Sequence, residues 1–299
     1  MHLPPALRPG ARVALVAPCG PLYSAKELNV AVTQTESMGW TPVVGKHVLE
    51  RHGYLAGTDE QRVDDLNAAL NDDTIDGVWC LRGGYGAMRL LDQLDRDALR
   101  RRPKALIGYS DVTALHTALA DHTQVITFHG PTARWPLTAY SRASLACAVT
   151  EHTDPCGGAP TARTLCSGRA AGRLVGGNLS LLSALVGTPY APDYTDAILF
   201  LEDVGEETYR IDRMLRQLML SGTIARLAGV VAGHFTEGTR AGDVSSIPLD
   251  DVLCEIAEAA GCPAIAGAPI GHIDDQWTLP MGATAELDAD RRTLHVSMR

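Results

Sequence analysis

At three places between residues 77 and 131 the chain runs a short apolar stretch into a glycine-bearing turn. Gly77-Val78-Trp79-Cys80-Leu81 leads into Arg82-Gly83-Gly84-Tyr85-Gly86, Ala105-Leu106-Ile107 into Gly108-Tyr109-Ser110-Asp111, and Val125 to Phe128 into His129-Gly130-Pro131. Helical spacing resumes after the first two turns, with Met88, Leu90 and Leu91 in one case and Val112, Leu115 and Leu119 in the other. Strands that are apolar throughout and alternate with helices demand a mostly parallel sheet covered on both faces. Ligands of such sheets collect at the carboxyl ends of the strands. The three turns are therefore expected to line one cleft.

The remaining pattern extends this reading. Arg12 to Ala17 is a strand ending in the turn Pro18-Cys19-Gly20-Pro21, Ala25 to Met38 a helix closed by Gly39, and Thr41 to Val44 a second strand. Thr58 to Gln61 has the spacing of a capping box ahead of a helix whose Val63, Leu66 and Leu70 share a face. From Thr153 to Ser167 the periodicity breaks into Pro, Gly, Thr and Ser, which marks a linker between residues 1–152 and 168–299. Beyond it, Gly176-Gly177-Asn178 precedes a helix through Leu179, Leu182 and Leu185, and Ile198 to Leu201 is a buried strand terminated by Glu202-Asp203. An amphipathic helix from Tyr209 to Leu220, a strand from Gly229 to Ala232, a flexible loop over 236–246, a helix from Leu249 to Ala260 and a short strand at Ala264-Ile265 follow. The loop Pro269-Ile270-Gly271-His272 leads to a terminal β-hairpin. The expected fold is α/β: an amino-terminal, mostly parallel sheet flanked by helices, then a second, smaller α/β domain ending in that hairpin.

Composition narrows the function classes. With 299 residues and 45% hydrophobic content the chain supports two medium cores. A formal net charge of −9 argues against a nucleic-acid partner, which needs a basic face. The apolar run Val13 to Ala17 is too short for a signal core or a membrane span, so a soluble, cytoplasmic protein is expected. Seven scattered cysteines without a C-x-x-C pair read as reduced thiols, neither a disulfide framework nor a zinc site. No metal or cofactor motif is present.

Ser110 sits at a strand-to-helix corner, the geometry of a nucleophile elbow, although Val112 stands where G-x-S-x-G has its second glycine. A helix cap is the competing role. A nucleophilic serine needs a base and a group that orients it. His129, His234 and His272 lie at or near strand ends, and His272 has the most loop-like setting of the three. Glu202, directly after four apolar residues, is expected to be partly buried and to need a cation, either an imidazolium or Arg210 or Arg213. Gly83 and Gly84 form a tight turn or else admit close approach by a substrate, with an N–H joining that of Asp111 to bind an oxyanion.

The strings VAPCGP, YLAGTDEQRVDDL, CLRGGYGAMRLL, IGYSDVTALH, FHGP, GGNLSLLSALVGTP, LFLEDVGEETYRIDRML and PIGH...TLPMG resemble, in order and over nearly the whole chain, the LD-carboxypeptidase (muramoyl-tetrapeptide carboxypeptidase) family of serine peptidases. The resemblance implies Ser110 as nucleophile in G-Y-S-D, Glu202 in L-E-D and His272 in the late G-H as its triad partners, and Gly84 and Asp111 as backbone oxyanion donors. It further implies a site between two domains, a cytoplasmic homodimer and no metal or organic cofactor. Cys19, where many relatives have serine, and Thr208, where many have proline, depart from the pattern outside the triad. The expected substrate is a murein tetrapeptide losing its terminal D-alanine, with Arg82, Gly83 and Tyr109 as substrate-binding candidates. Arg82 is nominated for the terminal carboxylate by proximity in sequence, against a structural role at a helix start. The alternatives are a microcin-C-type immunity peptidase cleaving a peptidyl-nucleotide and a non-catalytic peptide-binding protein on the same fold.

Overall fold

The structure, a computed structural model, describes residues 1–222, 224–238 and 246–298. Of the loop expected over 236–246, residues 239–245 lie outside the described residues. Five strands of the first half, β1 (Arg12–Val16), β2 (Thr41–Val44), β3 (Gly77–Cys80), β4 (Ala105–Gly108) and β5 (Thr127–His129), pair in parallel in the order β2-β1-β3-β4-β5. Side-chain alternation divides them between two apolar layers. Ala14, Val16, Val78 and Leu106 pack under α2 (Asp59–Asn71), α3 (Arg96–Arg101) and α4 (Thr113–Thr123), while Val13, Leu15, Trp79 and Ile107 face α1 (Ala25–Ser37) and α5 (Ala139–Ala146). The capping box forms as read: Gln61 N–H donates to Thr58 Oγ1 and the Thr58 N–H to Gln61 Oε1. Residues Ala87–Gln93 wind as a 3₁₀ helix. The strand order reverses between β1 and β3, so the turns after these two strands flank the crevice where doubly wound sheets bind ligands.

The second half forms a seven-stranded sheet from β6 (Arg163–Cys166), β7 (Arg169–Asn178), β8 (Ala197–Val204), β9 (Gly229–Thr236), β10 (Ala264–Ala266), β12 (Thr284–Asp288) and β13 (Thr293–Val296), in the order β13-β12-β7-β8-β9-β10-β6. The four central strands are parallel and the outer three antiparallel. Helices α6 (Leu179–Ala184), α7 (Thr208–Leu220) and α8 (Leu249–Ala260) cover one face. The other face joins the Trp79 and Phe128 layer of the first sheet through Phe200, Ile265 and Trp277.

Four sequence expectations change. The segment 153–167 is not a structureless linker throughout, because Arg163–Cys166 is an edge strand held by backbone pairing to β10; its half-exposed side chains give no apolar pattern to read. Residues 168–299 do not all stay in the second unit, since β11 (Leu279–Met281) pairs antiparallel with β5 and buries Leu279 in the first sheet. The ten-residue strand β7 was not expected at all: its glycines lower strand propensity, yet they make contact possible. A Cβ on Gly176 would lie 1.9 Å from the Phe200 carbonyl oxygen, and one on Gly177 2.5 Å from Thr113 Cγ2. Finally, β8 does not stop at Leu201 but continues through Glu202 and Asp203 to Val204. Asp203 is tolerated there because Asn178 Nδ2 and Ser180 Oγ donate to it. Where β7 ends, the Asn178 N–H donates to Thr113 Oγ1 at 3.0 Å, docking the second half onto the helix that follows Ser110.

Candidate active site

Strand β4 delivers Ser110 to the top of the first sheet. Gly108 lets the chain turn there, because a Cβ would meet Cys80 Cβ and Val112 Cγ1 at 3.0 Å. Ser110 itself holds φ = +64°, a left-handed conformation that costs a non-glycine residue about 1 kcal/mol or more. Its hydroxyl caps neither the 3₁₀ turn Ser110–Val112 nor α4. It lies 3.1 Å from His272 Nε2 instead.

His272 reaches that position from a loop fastened to the second sheet, with the His234 N–H donating to the Ile270 carbonyl. Gly271, at φ = +116°, places its backbone against Glu202: a Cβ would sit 2.9 Å from Glu202 Cβ. His272 Nδ1 is 2.8 Å from Glu202 Oε2. Glu202 is completely buried, and burial raises its pKa above the ordinary carboxylate range, opposed chiefly by the hydrogen bond to His272. The pairing with Arg210 or Arg213 considered from sequence does not form: Arg210 bonds to Glu206 and Tyr209, and Arg213 lies near the Tyr209 ring.

The Arg82–Gly86 turn closes over Ser110 from the β3 side. A Cβ on Gly83 would approach Ser110 Cβ to 2.8 Å and Oγ to 3.0 Å, so only glycine leaves room for the hydroxyl. Gly84 follows at φ = +104°, and the Gly83 carbonyl accepts from the Gly20 N–H, tying the β1 and β3 turns together across the strand-order reversal. The buried Asp111 carboxylate accepts from the Ala87 N–H at 2.8 Å. The Gly84 and Asp111 backbones thus belong to loops fastened to one another. Burial raises the pKa of Asp111, opposed by that bond, and raises the Cys19 thiol beside it.

Two expectations about neighbouring residues separate here. Tyr109 lies at the site, its ring centroid 4.8 Å from that of His272. Arg82 is occupied elsewhere: its guanidinium donates to the Pro21 carbonyl and Tyr23 Oη and lies 4.1 Å over the Tyr23 ring. Of the other candidate histidines, His129 is buried against Phe200 and Tyr109 with neither ring nitrogen hydrogen-bonded among the described residues, and His234 holds the His272 loop through its backbone N–H.

Matches to known families follow the two halves of this architecture. The model of the LD-carboxypeptidase N-terminal domain matches residues 13–130, and that of the LD-carboxypeptidase C-terminal domain residues 171–287. The chain belongs to the LD-carboxypeptidase family. Among its relatives, a putative carboxypeptidase of Streptomyces coelicolor is 42% identical over 97% of this chain and 94% of its own. The murein tetrapeptide carboxypeptidase of Pseudomonas aeruginosa is 37% identical over 94% of each. The solved structure of MccF in complex with glutamyl sulfamoyl guanosine superposes with a TM-score of 0.91 at 23% identity, covering 99% of this chain and 98% of that one, and so shares the fold.

In this LD-carboxypeptidase relative two arginines that sequence reading passed over shape the site. Arg62, buried on α2, donates to the carbonyls of Pro18 and Gly86 and pairs with Asp59, bracing the β1 and β3 turns from beneath. The available signal was its place one helical turn before Leu66, on the buried stripe. Arg134 lies after β5 on the wall of a cavity beside His272. The cluster of histidine and carboxylates compact enough to share an ion among the described residues, His47, Asp64 and Asp65, includes none of these groups. Among those residues no helix is long and apolar enough to cross a membrane.

Proposed function

We propose that this protein is a serine carboxypeptidase that releases the terminal D-alanine of murein tetrapeptides in cell-wall peptide recycling, cutting between the L-centre of the diamino acid and the D-residue. The observation that carries the reading is the hydrogen-bonded chain Ser110 Oγ, His272, Glu202, with links of 3.1 and 2.8 Å. Ser110 Oγ attacks the amide carbonyl while His272 Nε2 takes its proton. Buried Glu202 holds the proton on Nδ1 and stabilises the imidazolium. The N–H groups of Gly84 and Asp111 receive the developing oxyanion, which explains why both backbones are fastened around Ser110. His272 then gives its proton to the leaving amine as the C–N bond breaks. Water, deprotonated by the same imidazole, hydrolyses the resulting ester and restores Ser110.

A peptidyl-nucleotide substrate is the second reading. Its support is a relative in Escherichia coli, the microcin C7 self-immunity protein MccF, 26% identical over 87% of this chain. The 37% identity to the Pseudomonas aeruginosa enzyme favours the murein substrate. Mass spectrometry of wild type and Ser110→Ala incubated with each substrate decides. D-alanine release from the tetrapeptide by wild type alone is expected. Cleavage of the peptidyl-nucleotide alone moves the protein to the immunity reading, and binding without cleavage of either to the peptide-binding one. A cytoplasmic homodimer belongs to the same proposal, tested by fractionation and sedimentation velocity.

A further inference from the structure

A cavity of about 420 Å³ opens beside His272, bounded by Tyr109, Pro131, Arg134, Trp135 and Gln276 among others. Arg134 is the cation on its wall. One of its five N–H donors is used, from Nη1 to Glu27 Oε1 at 3.2 Å, and its Nε is buried without a partner among the described residues. The guanidinium lies 4.9 Å from the Trp135 ring and 5.8 Å from that of Tyr23, two aromatic neighbours of a planar fork. Arg82 lies over the same Tyr23 ring, and among the described residues the carboxylate paired with Arg134 is that of Glu27. Burial and the neighbouring Arg82 lower the pKa of Arg134, and Glu27 opposes the shift. Asp274 also lines the cavity and is its negative group; it disfavours a bare anion and suits a ligand that carries an amine as well as a carboxylate.

We infer that Arg134, and not Arg82, is the specificity residue that binds a carboxylate of the peptide substrate in this cavity. The inference rests on the peptidase reading above and identifies the group that reading lacked, the anchor that makes a peptidase a carboxypeptidase. The C-terminal carboxylate of the D-residue and a carboxylate on the diamino acid side chain present the same chemistry to a guanidinium.

The test compares kcat/KM for a murein tetrapeptide as free acid, for its C-terminal amide, and for the peptide with lysine replacing the diamino acid, on wild type, Arg134→Gln and Arg134→Lys. Wild type is expected to prefer the free acid by roughly 10- to 100-fold, the loss typical of a missing charged hydrogen bond, mainly through KM. Arg134→Gln should bring that ratio close to one, and Arg134→Lys should keep part of it. A ratio that collapses only for the lysine pair assigns the side-chain carboxylate. Ratios unchanged by Arg134→Gln in both arms overturn the inference. Should Arg134→Gln fail to fold because Glu27 is left unpaired, Glu27→Gln/Arg134→Gln removes both partners and gives the same readout. If wild type cleaves no tetrapeptide, the peptidase reading fails separately. Calorimetry of Ser110→Ala and Ser110→Ala/Arg134→Gln with the acid, the amide and the lysine peptide then judges Arg134 alone, and affinities that the second substitution leaves unchanged in both arms reject it.

Discussion

Around Ser110 the first half of the molecule presents backbone, whereas the second half presents side chains. Gly83 brings its backbone against the serine from the turn at the end of β3, and Asp111 follows the serine at the end of β4, positions that any doubly wound sheet offers. Glu202 and His272 come from the interior of β8 and from a loop beyond β10, and each depends on the other: the carboxylate is fully buried, and its bond to the imidazole opposes the cost. Backbone donors survive sequence change as long as the turn survives. A buried acid–base pair survives only while both members and their packing do. The two contributions meet at one seam, where Gly177 and Asn178 touch Thr113.

The comparison can be broken most severely at the serine. Ser110→Ala should lower kcat by roughly 10⁴- to 10⁶-fold with a thermal midpoint within a few degrees of wild type. A large loss of stability with activity retained would return Ser110 to a structural role. Glu202→Gln keeps shape but removes the charge that orients His272, and should lower kcat by about 10³- to 10⁴-fold, with KM little changed. An effect below tenfold would show that the second half's pair does not act as a unit. Gly177→Ala tests the seam itself. Its Cβ would be driven to 2.5 Å from Thr113, which should cost about 1–3 kcal/mol in denaturant unfolding and lower kcat by roughly 10²-fold through misplacement of His272 relative to Ser110. Full activity with normal stability would mean that the halves adjust independently.

A smaller effect concerns the floor beneath Ser110. His116 donates from Nε2 to the Gly108 carbonyl at 2.8 Å, which leaves Nδ1 unprotonated, buried and without a partner among the described residues. Burial lowers its pKa to about 4. Between the unfolded value of about 6.5 and the folded value of about 4 the unfolded chain binds the extra proton, so stability falls as pH drops through that window. The slope is at most about 1.4 kcal/mol per pH unit for this group. His116→Gln should therefore flatten part of the acid limb of a melting-temperature profile between pH 6.5 and 4.5. An unchanged limb would shift the cause to His129, whose pKa burial also depresses.

Much of the site's placement was legible because it follows from local chemistry. A strand, a glycine and a serine at a turn can be recognised within a dozen residues. The carboxylate at Glu202 stood out because charge after an apolar run needs a partner. Arg82 shows the limit: adjacency to the glycine turn suggested a substrate contact, but the packing of Tyr23 under its guanidinium holds it on Pro21. Arg134, in a stretch without periodicity, had no signal to set it apart. The strand β6 was hidden for a related reason, since an edge strand with half-exposed side chains is defined by its neighbour's hydrogen bonds and not by its own pattern.

From the sequence alone came the alternation that makes a parallel sheet, the capping box at Thr58, the corner at Ser110 and the short list of acids and bases. These are properties of neighbours in the chain, governed by periodicity, turn chemistry and burial preference. Tertiary structure alone brought His272 to Ser110, carried β11 into the first sheet, and placed Arg134 on the cavity wall. Ser110 and His272 lie 162 residues apart, and no local propensity encodes a distance of 3.1 Å between them. Only the packing of two sheets through a shared apolar layer, with glycine at the seam, brings them within a hydrogen bond.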